Sequence, residues 1–140
     1  MRFLGIDYGR KRVGISLSDE GGIIATPSLV LTNSKSLIIE VAEIAREAKV
    51  GGIVFGDSRD SSGGENPIMK EIKEFAGKLE KKSTAPIFFE RESFTSVEAR
   101  KNPSGKREVD DSAAALILQR YLDRINKARK KIENSLDDDL

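Results

Sequence analysis

Three carboxylate positions stand where short apolar runs end or a helix begins. Asp7 follows the run Phe3-Leu4-Gly5-Ile6 at the lip of a glycine-containing turn, and Glu92 follows Ile87-Phe88-Phe89-Glu90-Arg91. Asp110 and Asp111 open the last long segment of helical periodicity. The sequence holds no His and no Cys, so any catalysis must run on carboxylates, hydroxyls, Lys or Arg, or on a metal that carboxylates hold. Without Cys there is no disulfide scaffold, thiolate zinc site or thiol nucleophile. Without His, the Ser-His-Asp triad and the paired-histidine metal site go as well. Acids from two strand ends and a helix start suit an all-oxygen site for Mg²⁺ or Mn²⁺, which takes carboxylates, water and substrate phosphate. Two such ions about 4 Å apart would align a water for attack on a phosphodiester and stabilise the departing oxygen.

Each acid also has a plainer reading. Asp7 could hydrogen-bond the turn backbone as an Asx-turn. Period-two alternation puts Glu90 and Glu92 on the face of Pro86 and Phe88, opposite Ile87 and Phe89. A strand apolar on both faces is covered on both sides, so Glu92 is expected to be partly buried, while Glu90 is expected in solvent or paired with Arg91. Asp110 and Asp111 both suit the first turn of a helix, and the helical wheel does not choose between them. Lys11 and Arg12 flank Asp7, and Lys106 and Arg107 precede Asp110, where cations would dock a phosphate backbone. The cluster from Lys127 to Lys131 reads as a solvated helix end. The polar stretch from Gly56 to Glu65 could touch substrate but lacks the Gly-Lys-Ser/Thr ending of a P-loop.

The elements that must position these groups follow from apolar spacing. Residues 2–6 and 13–18 form a hairpin around Gly9, which is expected to supply a positive φ. Ile23 to Leu31 reads as an edge strand broken at Pro27. Leu37, Val41, Ile44, Ala45 and Ala48 mark an amphipathic helix, and Gly52 to Phe55 a short strand. Asn66 caps a second helix that starts at Pro67 and carries the stripe Ile68, Ile72, Phe75, Ala76 and Leu79. Pro86 to Phe89 is a further strand, and Thr95-Ser96-Val97-Glu98 fits a capping box opening a short helix. The last helix begins near Asp110, with Ala114, Ala115, Ile117, Leu118, Tyr121, Leu122 and Ile125 on one arc. The order β-β-β-α-β-α-β-α implies a mixed α/β sheet with helices on its faces.

With 140 residues, 24 Lys+Arg and 23 Asp+Glu, the chain carries a net charge of +1. One domain over residues 1–134 is expected, with a disordered acidic tail at 135–140. About two-thirds of the unfolded surface can be buried at this length, so no metal or disulfide is needed for folding. No run approaches the roughly 18 apolar residues of a membrane helix, and the N-terminus lacks a signal-peptide core, so a cytoplasmic location without membrane partners is expected. The charge is uneven: ten basic residues stand against four acids between Arg100 and Lys131.

The run Gly5-Ile6-Asp7-Tyr8-Gly9-Arg10-Lys11-Arg12-Val13-Gly14-Ile15-Ser16-Leu17-Ser18-Asp19 closely resembles the opening motif of the YqgF (RuvX) family, known as Holliday junction resolvases or pre-16S ribosomal RNA nucleases. Two further blocks agree in order: Glu92 with Thr95-Ser96-Val97-Glu98-Ala99-Arg100, and Val109-Asp110 followed by Ala113 to Leu122. The resemblance runs from Met1 to Ile125 and implies an RNase H-like fold with a mixed five-stranded sheet. It also implies a divalent-metal-dependent endo- or exonuclease, with Asp7, Glu92 and Asp110 as catalytic and metal-holding carboxylates for two Mg²⁺ or Mn²⁺ ions. Asp111 becomes a supporting neighbour, and Asp19 matches the family in a structural capacity. Structured RNA at the 5′ end of pre-16S rRNA, within a pre-ribosomal particle, is the expected substrate. Branched DNA junctions, or a binding role in assembly without turnover, are the alternatives. A sugar-kinase or actin-like phosphotransferase shares an Asp-x-Gly hairpin but needs two such domains. The chain departs from the family pattern at Arg91 and Ser93, at Gly56-Asp57-Ser58, and in a shorter connection from Arg100 to Val109.

Overall fold

A computed structural model of the chain describes residues 1–58, 66–91 and 113–138. Strands β1 (Phe3–Tyr8), β2 (Arg12–Ser18) and β3 (Ala25–Thr32) are followed by α1 (Leu37–Glu47), β4 (Gly52–Asp57), α2 (Pro67–Glu80), β5 (Ile87–Arg91) and α3 (Ala113–Asp138). The five strands form one sheet in the order β3-β2-β1-β4-β5. The first three are antiparallel neighbours, whereas β1, β4 and β5 run parallel. This is the mixed, helix-flanked sheet expected from the order of elements, and it is consistent with the RNase H-like fold that the resemblance implies.

Alternation along the strands divides the core between two faces. Leu4, Ile6, Val13, Ile15, Ile53 and Phe55 point toward α1 and α2, where they meet Leu37, Val41, Met69, Ile72, Phe75 and Leu79. Phe3, Val54 and Phe88 point the other way and pack on Ile117, Leu118, Tyr121, Leu122 and Ile125 of α3. Tyr121 is the hub of that second layer, edge-on to Phe3 at 5.7 Å and stacked on Phe88 at 5.3 Å. Burial pushes its hydroxyl above the ordinary tyrosine range.

The capping expected at Asn66 is present: its Oδ1 accepts from Met69 N at 2.9 Å, ahead of Pro67 in the first turn. Its Nδ2 donates to Ser58 O at 2.9 Å, tying together the two ends of the segment 59–65. Pro27 lies in edge strand β3, where Ile15 pairs with Leu29 and Ser16 with Pro27, a β-bulge that leaves Ser28 over.

One local expectation is corrected. Gly9 does not adopt a positive φ; the turn needs glycine there for room, because a Cβ would stand 2.5 Å from Arg12 O. Among the described residues the left-handed glycine is Gly22, at φ 68° in the next turn. At the other end of the described residues, α3 continues through Asp138. No Gly or Pro follows Gly105 in the sequence to end it. The short helix read at residues 95–98 lies outside the described residues. Among the described residues, no helix is long and apolar enough to cross a membrane.

Candidate active site

Because β1, β4 and β5 are parallel, their carboxyl ends share one edge of the sheet, the position where open α/β sheets commonly build sites. Phe55 pairs with Ile6 on one side and Phe89 on the other, so Asp7, Gly56 and Glu90 stand at the next level toward that edge. Asp7 is the penultimate residue of β1, opposite Gly14 of β2, and is half-buried. It follows Phe3 and Gly5 on the α3 face of the sheet.

The start of α3 lies beside this carboxylate because the strands beneath it carry almost no side chain. A Cβ on Gly5 would come within 2.8 Å of Leu118 Cβ and 3.0 Å of Ala114 O. One on Gly14 would stand 3.5 Å from Ala114 Cβ and 3.7 Å from Asp7 Cβ. Ser16, fully buried, donates from Oγ to Ala114 O at 2.8 Å and fixes the helix against β2. The first turn of α3 and Asp7 thus flank a single slot roofed by Gly14. The chain reaches that turn directly from the stretch that holds Asp110 and Asp111.

Of the expected site residues, the structure describes Asp7, Lys11 and Arg12. Glu92, Asp110, Lys106 and Arg107 lie outside the described residues, as does Asp111. Arg12 opens β2 opposite Thr32, and Lys11 precedes it in the turn; both are exposed. Arg10 in the same turn pairs with Glu71 of α2 at 3.2 Å.

Glu90 is a correction. It is buried on the α3 face and paired with Arg124, whose Nη2 and Nε donate to Oε1 at 2.7 and 3.1 Å. The expected solvent or Arg91 environment fails because α3 crosses β5 here and carries a cation to it. Arg124 also lies over the Tyr121 ring at 5.3 Å. Asp57 is the acid that the sequence reading passed over as part of a polar loop. It ends β4 instead and is buried at 3% exposure, on the α1 and α2 side by alternation from Ile53 and Phe55. The signal was there in Gly52-Ile53-Val54-Phe55-Gly56-Asp57, an apolar run closed by a carboxylate like the one at Asp7.

Asp19 stands at the opposite edge, after β2. Its Oδ1 accepts from Ile23 N at 2.8 Å and Ile24 N at 2.9 Å, and these backbone donors hold its carboxyl below the ordinary value of 3.8. Its work is to close the β2–β3 turn. Gln119 of α3 grips the same turn, with Nε2 donating to Ile23 O and Oε1 accepting from Ala25 N.

Among the described residues, no group of three His, Cys, Asp or Glu side chains is gathered to hold a metal ion. Asp7 and Asp57 lie on opposite faces of the sheet and do not form a pair of ligands. The donor chemistry of the described edge, carboxylate oxygen without nitrogen or sulfur, fits a hard divalent cation.

A family model described as "RuvX: Holliday junction resolvase" matches residues 1–124. A protein of Oleidesulfovibrio alaskensis, described as "Putative pre-16S rRNA nuclease", is 30% identical over 95% of this chain and 99% of its own length. One of the same description from a Sulfurihydrogenibium species is 33% identical, over 89% of this chain and 92% of its own. Among solved structures, Thermus thermophilus RuvC superposes with a TM-score of 0.55 at 14% identity, covering 90% of this chain and 97% of that one. The fowlpox virus Holliday junction resolvase does so with a TM-score of 0.54 at 11% identity, covering 89% of this chain and 99% of its own. At such identities the two structures speak for the fold.

Proposed function

From membership of the RuvX (YqgF) family, to which this chain belongs, we propose a divalent-metal-dependent nuclease that cuts structured RNA at the 5′ end of pre-16S rRNA. A nuclease-type hydrolase role comes with the family. The finer reading rests on one observation: the half-buried Asp7 carboxylate shares a slot with the first turn of α3, at the edge where β5 also ends. Glu92 is the residue after Arg91, with which β5 ends. Asp110 is three residues ahead of Ala113, so chain length alone keeps its Cα within about 11 Å of that helix. Asp7, Glu92 and Asp110 would supply the oxygens for the cation. When bound, Mg²⁺ or Mn²⁺ supplies Lewis-acid charge and lowers the pKa of a water at the scissile phosphate. Lys11 and Arg12, exposed beside Asp7, and Lys106 and Arg107, near Asp110 in sequence, would hold flanking phosphates in place. Gly14 keeps the slot open for the substrate backbone.

The ribosomal substrate is favoured by the descriptions of the curated relatives. Four-way DNA junctions are the second reading, favoured by the family description. Both are tested in one assay: labelled precursor rRNA ends and four-way junctions, incubated with the protein or its Asp7→Asn variant, in Mg²⁺ or Mn²⁺ and with chelator. Cleavage of the rRNA precursor is expected, lost with chelator and reduced by at least about a thousandfold in Asp7→Asn. Unchanged cleavage by a folded Asp7→Asn variant would remove Asp7 from the mechanism. Cutting of junctions alone would transfer the assignment to DNA.

A further inference from the structure

The turn between β1 and β2 is short, Gly9-Arg10-Lys11, and with Arg12 at the start of β2 it carries three cations just after Asp7. They are not equivalent. Arg10 pairs with Glu71 of α2 at 3.2 Å, whereas neither Lys11 nor Arg12 has an ion-pair partner among the described residues. Charges on long, exposed side chains bind poorly when the backbone beneath them must also be ordered at the moment of binding. Here that backbone is ordered in advance, from the end of β3.

Asn33, half-buried, is the residue that follows β3. Its Nδ2 donates to Gly9 O at 2.8 Å, and its backbone N–H donates to Lys11 O at 2.9 Å. One residue therefore takes the carbonyls on either side of Arg10. Asn33 is itself anchored, by β3 on one side and on the other by the turn into α1, where Leu37 N donates to Ser34 O at 3.1 Å. The Arg10–Glu71 pair ties the same turn toward α2, but both side chains are exposed, and such a pair holds weakly. Asp7 depends on neither tie, because the ladder sets it opposite Gly14 and sets Tyr8 opposite Val13.

We propose that Asn33 is a positioning residue for substrate binding, holding the β1–β2 turn so that Lys11 and Arg12 meet the phosphates of a structured RNA in a fixed arrangement. This rests on the nuclease reading above and adds to it a residue that touches no substrate and acts through two carbonyls of the turn. Of its two bonds, the one from the backbone N–H is open to any residue except proline. The bond to Gly9 O needs the side-chain amide, so the role is specific to Asn33 and can be removed by substitution.

Fluorescence anisotropy of a labelled structured RNA, in chelator so that nothing is cut, tests this in a double-mutant cycle. The proteins are wild type, Asn33→Ala, Lys11→Ala with Arg12→Ala, and all three substitutions together. Asn33→Ala is expected to weaken binding about fivefold in the wild-type background and by less than about twofold where the two cations are gone. Asn33→Leu, which keeps the shape and lacks the donor, is expected to repeat the result and carries the same cycle should Asn33→Ala fail to fold, as circular dichroism would show. An equal loss in both backgrounds overturns the proposal, since a merely structural residue would not distinguish them. So does an Asn33→Leu protein that binds like wild type. A wild type that binds no structured RNA, or one whose affinity is indifferent to loss of Lys11 and Arg12, overturns instead the reading on which the proposal rests, and the proposal with it.

Discussion

Asp19 shows how a motif acid can belong to the frame and leave the chemistry to others. It is exposed, yet two backbone N–H groups aim at one of its oxygens, and its carboxyl is held below the ordinary 3.8 by them. A group whose pKa is lower in the folded chain stabilises the fold above its unfolded value, and that contribution is lost as the pH falls through the folded value. Asp19→Asn keeps an acceptor but removes the charge. Its denaturation midpoint should therefore lie below that of wild type at neutral pH, and the two should converge as the pH drops below 3.8. A gap that persists undiminished to the most acid conditions would assign Asp19 another role. Glu90 is the converse case, a buried acid satisfied by Arg124 rather than set aside for a ligand.

Among the elements, α3 decides the geometry of the site, and it does so through what the strands lack. Gly5, Gly14 and Ser16 let its first turns lie directly on β1 and β2. Gly5→Ala places a methyl group where Leu118 Cβ and Ala114 O already stand, so the helix must lift; a loss of about 1–3 kcal/mol in chemical denaturation is expected. Nuclease turnover should fall by more than the folded fraction does, since the start of α3 is displaced from Asp7. Activity that simply tracks the folded fraction would sever α3 from the site. These small residues were not legible as a docking surface: within a strand pattern they read only as weak points, and the helix that needs them comes about a hundred residues later. The strands and the Asn66 cap were legible, because alternation and capping chemistry are local. The pairing of Glu90 with Arg124 was not, since no local pattern links β5 to the middle of α3.

Over the whole molecule, charge nearly cancels, at +1 in 140 residues, so attraction for a polyanion must come from where the cations stand. Lys11 and Arg12 are exposed beside Asp7. Replacing both by Glu should weaken binding of structured RNA and reduce the slope of log affinity against log salt by about 1.5. An unchanged slope would place the phosphate contacts elsewhere. The outer strand β3 shows solvent Leu29 and Val30, and among the described residues no strand pairs with it beyond β2. Pro27 lacks an amide hydrogen, and the bulge beside it throws the strand out of step. A foreign strand arriving there finds a template with a missing rung and a kink, so the protein resists growing into fibrils from that side.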